Sequence, residues 1–238
     1  MSDPGESDGA NTARPEPGRI PHLYLVAARE LFATDELWLE SLERVAEALS
    51  RLALDRDTAR IPGAALEVAL QVRIETELGA LHLAAQALER VHQAAPAVHL
   101  FLNAAADAAS LGYDGVHWPE RRIPDRPGAL PLPAAASVHS EAALHRAENA
   151  GASFVLYGPV WSPGWKKLAG RGIDSLGALA ARAMVPVLAI GGITPERVPA
   201  CLGAGAAGVA VASGVFRAAD SRAALAAYAA VLRAASTA

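Results

Sequence analysis

The amino-acid sequence predicts an α/β protein built as a single (β/α)₈ TIM barrel, on three observations. Short apolar, β-rich runs alternate eight times with segments of helical period along 238 residues, the pattern of a parallel sheet wrapped by helices. The length suits one such barrel, which takes about 200–250 residues as one domain. Polar and small residues recur where the apolar runs stop, at the end of the barrel that gathers functional side chains. A doubly wound open sheet shares the alternation, but no Gly-x-Gly-x-x-Gly follows the first run.

Residues 1–19 are rich in Gly, Pro, Ser, Asp and Glu and show no hydrophobic period. They are expected to be a disordered tail, with the barrel over 20–238. The first strand is expected at His22–Ala27. Asp35 then offers an N-cap to a helix through Leu54, whose Leu37, Leu39, Leu42, Val45, Ala46 and Leu49 form an apolar stripe. Asp55–Ala65 is polar and carries Pro62-Gly63, a loop. Strand two, Leu66–Arg73, alternates near its end and so puts Gln71 and Arg73 on one face. A helix is expected from Glu77 to Ala94, ending before Pro96. Strand three, Val98–Asn103, ends on an asparagine, and a short Ala-rich helix leads to strand four at Asp114–His117. Trp118–Pro133 holds five prolines and an Arg pair, a loop over the barrel mouth. Strand five, Ala134–Val138, brings up Ser137 and His139, and a helix follows from Ser140 to Ala150. Strand six is Phe154–Gly158, and the loop Pro159–Gly172 carries Trp161, Trp165, Lys166 and Lys167. Strand seven runs from Val185 to Gly191-Gly192, and strand eight from Gly208 to Ala212-Ser213-Gly214. The last helix is expected at Arg222–Ala235.

Hydrophobic residues make up 52% and charged residues 19%, the composition of a globular protein. Net charge is −4 and the basic residues are scattered, so no stripe suits a nucleic-acid backbone. No uncharged apolar run reaches the ~18 residues of a membrane span, and no secretory signal opens the chain. With a single cysteine, Cys201, a reducing, cytoplasmic setting is expected. Cys201 reads as a small buried apolar residue rather than a nucleophile. The sequence leaves monomer and homodimer equally open.

The strand ends collect Gln71, Arg73, Asn103, His117, Ser137, His139, Lys166, Gly192 and Ser213. Glycines after strands seven and eight expose backbone N–H groups, the usual place for a phosphate in this fold. Arg73 and Lys166 are cations able to hold an anion, and His139 titrates near neutrality and can move a proton. Each has a plainer role. Arg73 would pair with Glu75, His139 would cap the helix starting at Ser140, His117 would be packed, and Gly191-Gly192 would be a tight turn. No metal constellation is legible, and Glu120 alone is a weak site for a hard cation.

The residues resemble the thiamine phosphate synthase superfamily from His22 to Phe216. The resemblance rests on Leu23-Tyr24-Leu25-Val26, Gln71-x-Arg73, Asn103, Gly115-Val116-His117, Ser137-Val138-His139-Ser140, Gly158-Pro159-Val160-Trp161, Lys166, Ala189-Ile190-Gly191-Gly192-Ile193 and Ala212-Ser213. Where synthases carry a lysine after the strand-two arginine, this chain has Glu75. Their two magnesium-binding aspartates fall at Ala104 and in the region of Arg121-Arg122. The sister group, the thiazole tautomerases of TenI type, lacks the metal site, and Ser137–Ala142 and Lys166–Gly172 resemble theirs. The tautomerase resemblance implies an isomerase without cofactor that aromatises a carboxylated thiazole ethyl phosphate in thiamine biosynthesis. It implies His139 as the catalytic group. Gln71, Arg73, Asn103, Ser137, Lys166, Gly192, Ala212 and Ser213 would hold the substrate. A divergent synthase, and a non-catalytic barrel that binds a thiamine-pathway phosphate, are the rival readings.

Overall fold

Eight parallel strands pair in chain order and the last returns to the first, closing a barrel. The computed structural model describes residues 20–58, 66–74, 80–103, 108–129, 133–162 and 169–235, without the side chains of 53–58. The tail expected at 1–19 lies outside these residues. The strands are β1 (Leu23–Ala28), β2 (Val68–Arg73), β3 (His99–Asn103), β4 (Gly115–Trp118), β5 (Ala134–Val138), β6 (Phe154–Tyr157), β7 (Val187–Ile190) and β8 (Gly208–Val211). Around them lie α1 (Asp35–Thr58), α2 (Ala80–Ala94), α3 (Glu141–Ala150), α4 (Ile173–Ala180), α5 (Val198–Gly203), α6 (Ser213–Phe216) and α7 (Ser221–Ala235). The (β/α)₈ expectation is met.

The period of two along each strand sorts side chains into two cores. Tyr24, Val26, Ala28, Ala69, Phe101, Ala135, Phe154, Leu156, Leu188 and Ala210 fill the barrel interior. The alternate residues, such as Leu23, Leu25, Leu70, Leu100 and Val155, pack outward under the helices. Both faces are apolar, which is why the strands read as continuous hydrophobic runs. Tyr24, Phe101 and Phe154 meet edge to face with centroids 5.5, 5.6 and 5.7 Å apart, a favoured geometry for aromatic rings. Gly115 makes room for them, since a Cβ there would stand 2.4 Å from the Phe101 ring.

Continuing each inward row one or two residues carries it out of the core and into the mouth of the barrel. Gln71 leads to Arg73, Ser137 to His139, and Leu156 to Gly158. The same alternation that builds the core therefore aims the polar strand ends at one space.

The helix starts differ from expectation in instructive ways. Thr34, not Asp35, caps α1, its Oγ1 accepting from Leu37 N at 3.3 Å. Asp35 is left free to take the Arg29 guanidinium. Trp38, fully buried, ties α1 to β1 by donating to the Ala27 carbonyl at 3.2 Å. The expected start of the second helix at Glu77 lies outside the described residues, as does the beginning of the segment after Asn103. The described end of that segment is a turn, closed by Tyr113 N donating to the Ala108 carbonyl at 3.0 Å. Among the described residues no helix is long and apolar enough to cross a membrane. Cys201 is buried, and burial pushes its thiol up to about 11, an unreactive state.

Candidate functional site

A cleft of about 1110 Å³ opens at the C-terminal ends of the strands. Of the residues expected there, Gln71, Arg73, Asn103, His117, Ser137, His139, Gly192, Ala212 and Ser213 all line it. Lys166, with Trp165 and Lys167, lies outside the described residues. Reading outward from the floor, the site has three layers.

The floor is His117, 3% exposed. Its Nδ1 lies 3.2 Å from the Tyr24 hydroxyl and its Nε2 2.8 Å from Ser137 Oγ. Burial, then the Arg73 charge, lowers its pKa to about 3, so it is neutral across the ordinary pH range. The packed role expected for His117 is what the structure gives it. Beside it Gln71 donates to Asn103 Oδ1 at 3.1 Å, one amide holding the other.

The wall is built by a 3₁₀ turn, Glu120–Arg122, at the start of the proline-rich loop after β4. Its Glu120 carboxylate meets His139 Nδ1 at 2.6 Å. A carboxylate only accepts, so Nδ1 carries a proton and Nε2 is the nitrogen left for a ligand. The turn is itself tied down where Arg146 of α3 donates to the Glu120 carbonyl at 2.9 Å. His139 does not cap α3, because Ser140 does so by accepting from Ala143 N at 3.2 Å. Arg73 likewise departs from its expected partner. Glu75 lies outside the described residues, and Arg73 pairs with Glu30 at 3.1 Å, a half-exposed contact of little energy.

The rim is the pair of glycine corners. Gly191 and Gly192 have φ of 99° and 60°, left-handed values that disfavour a side chain. At Gly192 a Cβ would also stand 2.8 Å from Trp161 Cβ. Packing explains the second requirement, since Val160 and Trp161 donate to the carbonyls of Ile190 and Gly191 at 2.8 and 3.0 Å. Arg197 adds a brace by donating to the Gly192 carbonyl at 2.5 Å, its guanidinium 4.9 Å from the Trp161 ring centre. The N–H groups of Gly192, Ile193, Ser213 and Gly214 donate to no acceptor among the described residues.

Four arginines line the cleft, Arg73, Arg121, Arg122 and Arg197, against one carboxylate, Glu120. Such a surface suits a ligand with more than one negative charge. Among the described residues no three His, Cys, Asp or Glu side chains lie close enough to hold a metal ion. Glu120 is already engaged by His139. The donor set of the described residues does not fit a divalent cation.

The wall is what sequence reasoning missed. Glu120 read as a lone carboxylate and Arg197 drew no reading, because their partners lie across a loop or a turn. Periodicity carries no information on such pairings.

Three comparisons bear on this geometry. The family model described as thiamine monophosphate synthase matches residues 24–215. The chain is 37% identical over 184 residues to a thiamine-phosphate synthase of Xanthomonas campestris pv. campestris, spanning 73% of this chain and 89% of that one. It is 35% identical over 178 residues to the thiamine-phosphate synthase of Methanoculleus marisnigri, covering 73% and 78%. Among solved structures, a thiamine phosphate pyrophosphorylase from Pyrococcus furiosus superposes with a TM-score of 0.62 at 22% identity, over 88% of this chain and 94% of the other. That last likeness speaks for the fold alone.

Proposed function

The chain belongs to the thiamine monophosphate synthase family, and from that premise we propose that it is a thiazole tautomerase. Its reaction would be the metal-independent isomerisation of a carboxylated thiazole ethyl phosphate to the aromatic ring. One observation carries the reading. His139 is held by Glu120 at 2.6 Å in an arginine-lined cleft with no second carboxylate among the described residues.

In this reading the free N–H groups of Gly192, Ile193, Ser213 and Gly214 receive the phosphate, with the Ser213 hydroxyl and the Ala212 corner beside them. Arg73, and Lys166 from the loop after β6, take the carboxylate. Gln71 and Asn103 border the ring. Glu120 keeps the His139 proton on Nδ1, so Nε2 removes a proton from the substrate and returns one as the exocyclic double bond moves into the ring. The negative charge of Glu120 stabilises the imidazolium formed between the two transfers. Such a positioned acid–base group contributes roughly 10²–10⁴-fold.

A second reading is supported by the relatives, which are named thiamine-phosphate synthases. Those names favour a transferase over the isomerase. The coupling of a pyrimidine diphosphate with a thiazole phosphate expels pyrophosphate, whose charge a divalent ion ordinarily neutralises. Ala104 and Arg121-Arg122 stand where the resemblance puts the metal-binding aspartates, and on that ground the isomerase is preferred.

One assay separates these readings. The purified protein in EDTA, given the non-aromatic carboxythiazole phosphate, should form the aromatic product, followed by proton NMR of the ring. His139→Ala should slow it about 100-fold or more. No conversion, together with Mg²⁺-dependent coupling of the two synthase substrates, would replace the isomerase by the transferase. Binding without either turnover would leave a non-catalytic barrel.

A further inference from the structure

The chain of contacts beneath the cleft has a direction. Tyr24 is fully buried, enclosed by Phe101 and Phe154, and among the described residues its hydroxyl meets one hydrogen-bond partner, His117 Nδ1, at 3.2 Å. Burial keeps the phenol protonated, well above its ordinary range. The imidazole, buried and beside Arg73, is neutral and holds a single proton.

We propose that Tyr24 and His117 act as positioning residues that fix the polarity of Ser137, making it a hydrogen-bond donor to the ligand. The group above Ser137 is then an acceptor, a carboxylate oxygen or an unprotonated ring nitrogen.

The reasoning follows from counting protons. A phenol has one proton to give, and His117 Nδ1 is the acceptor it touches. The imidazole N–H therefore sits on Nε2 and donates to Ser137 Oγ at 2.8 Å. The serine proton cannot return to that nitrogen, and Ser137 lines the cleft, so its proton is offered there. Each bond polarises the next, which strengthens the terminal donor. The reverse arrangement strands the Tyr24 O–H in an aromatic cage. A buried donor without an acceptor is disfavoured enough to hold the reverse form below about one part in ten. The wire crosses the barrel from β1 to β4 and β5, so the strand nearest the N-terminus sets the chemistry of a side chain far from it in sequence.

The identity of the acceptor as a substrate carboxylate or ring nitrogen rests on the tautomerase reading, whereas the polarity does not. Two measurements keep them apart. Long-range proton–nitrogen correlation spectra of histidine-labelled protein report the His117 tautomer without ligand, with His117 signals assigned by their loss in His117→Gln. The wild type at pH 7 should show Nε2 protonated and Nδ1 bare, and Tyr24→Phe should raise the Nδ1–H share at least about fivefold. A wild-type imidazolium, an Nδ1–H form, or no change in Tyr24→Phe overturns the proposal. Turnover of the carboxythiazole phosphate by Tyr24→Phe should fall about tenfold in kcat with KM held within about twofold, and adding Ser137→Ala should cost no more than Ser137→Ala alone. Additive losses would also overturn it. A wild type inert on that substrate with the expected tautomer would sink the isomerase and leave the wire standing.

Discussion

At the scale of single residues, the site depends on Glu120 as much as on His139. The 2.6 Å contact holds the ring, and in the proposed isomerisation it would also stabilise the charge on the imidazole during transfer. Glu120→Gln keeps an acceptor at the same place and removes the charge. Its kcat in the isomerisation assay should drop about tenfold or more while KM stays near wild type, a loss confined to the transition state. An unchanged kcat would remove Glu120 from the mechanism. Much of the residue-level site was legible beforehand. Gln71, Arg73 and Ser137 occupy inward positions on strands and His139 continues the β5 row one residue past its end, and a period of two is a local property. Glu120 was not legible as a partner. It reaches His139 through a turn whose direction is set by Pro119, the Arg146 brace and the barrel curvature together, none of which a run of residues displays.

At the scale of elements, α3 is the piece that presents His139. Ser140 stops the strand, caps the helix and leaves the preceding histidine outside the helical hydrogen bonds. Gly151, in the left-handed conformation with φ 94°, closes the other end by donating to the Ala147 and Glu148 carbonyls, a common helix stop. Ser140→Ala should lower the unfolding free energy by about 1 kcal/mol in urea titration, the ordinary worth of such a cap. A loss near zero would mean that packing of Ala143, Leu144, Ala147 and Ala150 alone holds α3. The serine was visible as a cap in the sequence because Glu141 and an apolar stripe follow it. The α1 start was misjudged by one residue. Thr34 and Asp35 are both good caps, and the choice between them falls to Arg29, which draws the aspartate away.

At the scale of the whole molecule, the barrel was legible because all eight strands are buried on both sides, and each reads as an apolar run. What such runs conceal is polar cargo inside. His117 sits among them as a neutral base, with a consequence for stability. Its folded pKa of about 3 lies below the ordinary 6.5, so between those values the unfolded chain binds a proton that the folded protein does not. Stability from this group is full above pH 6.5, declines as pH falls, and reaches its floor near pH 3. The slope it adds is at most about 1.4 kcal/mol per pH unit. Urea midpoints measured from pH 7 to pH 4 should fall more steeply for wild type than for His117→Gln, and equal slopes would contradict a neutral buried imidazole.

The pairing of β8 with β1 has a last implication, for synthesis on the ribosome. Leu23, Tyr24 and Leu25 find their neighbours Val209, Ala210 and Val211 only after β2 to β7 have all been translated. Until then β1 and β7 each present an open edge to other nascent chains, a surface prone to sticking. The glycine corner after β7 stands ready earlier, but its companion after β8 emerges last. A ligand gripped by both corners would therefore recognise closed barrels and pass over open ones.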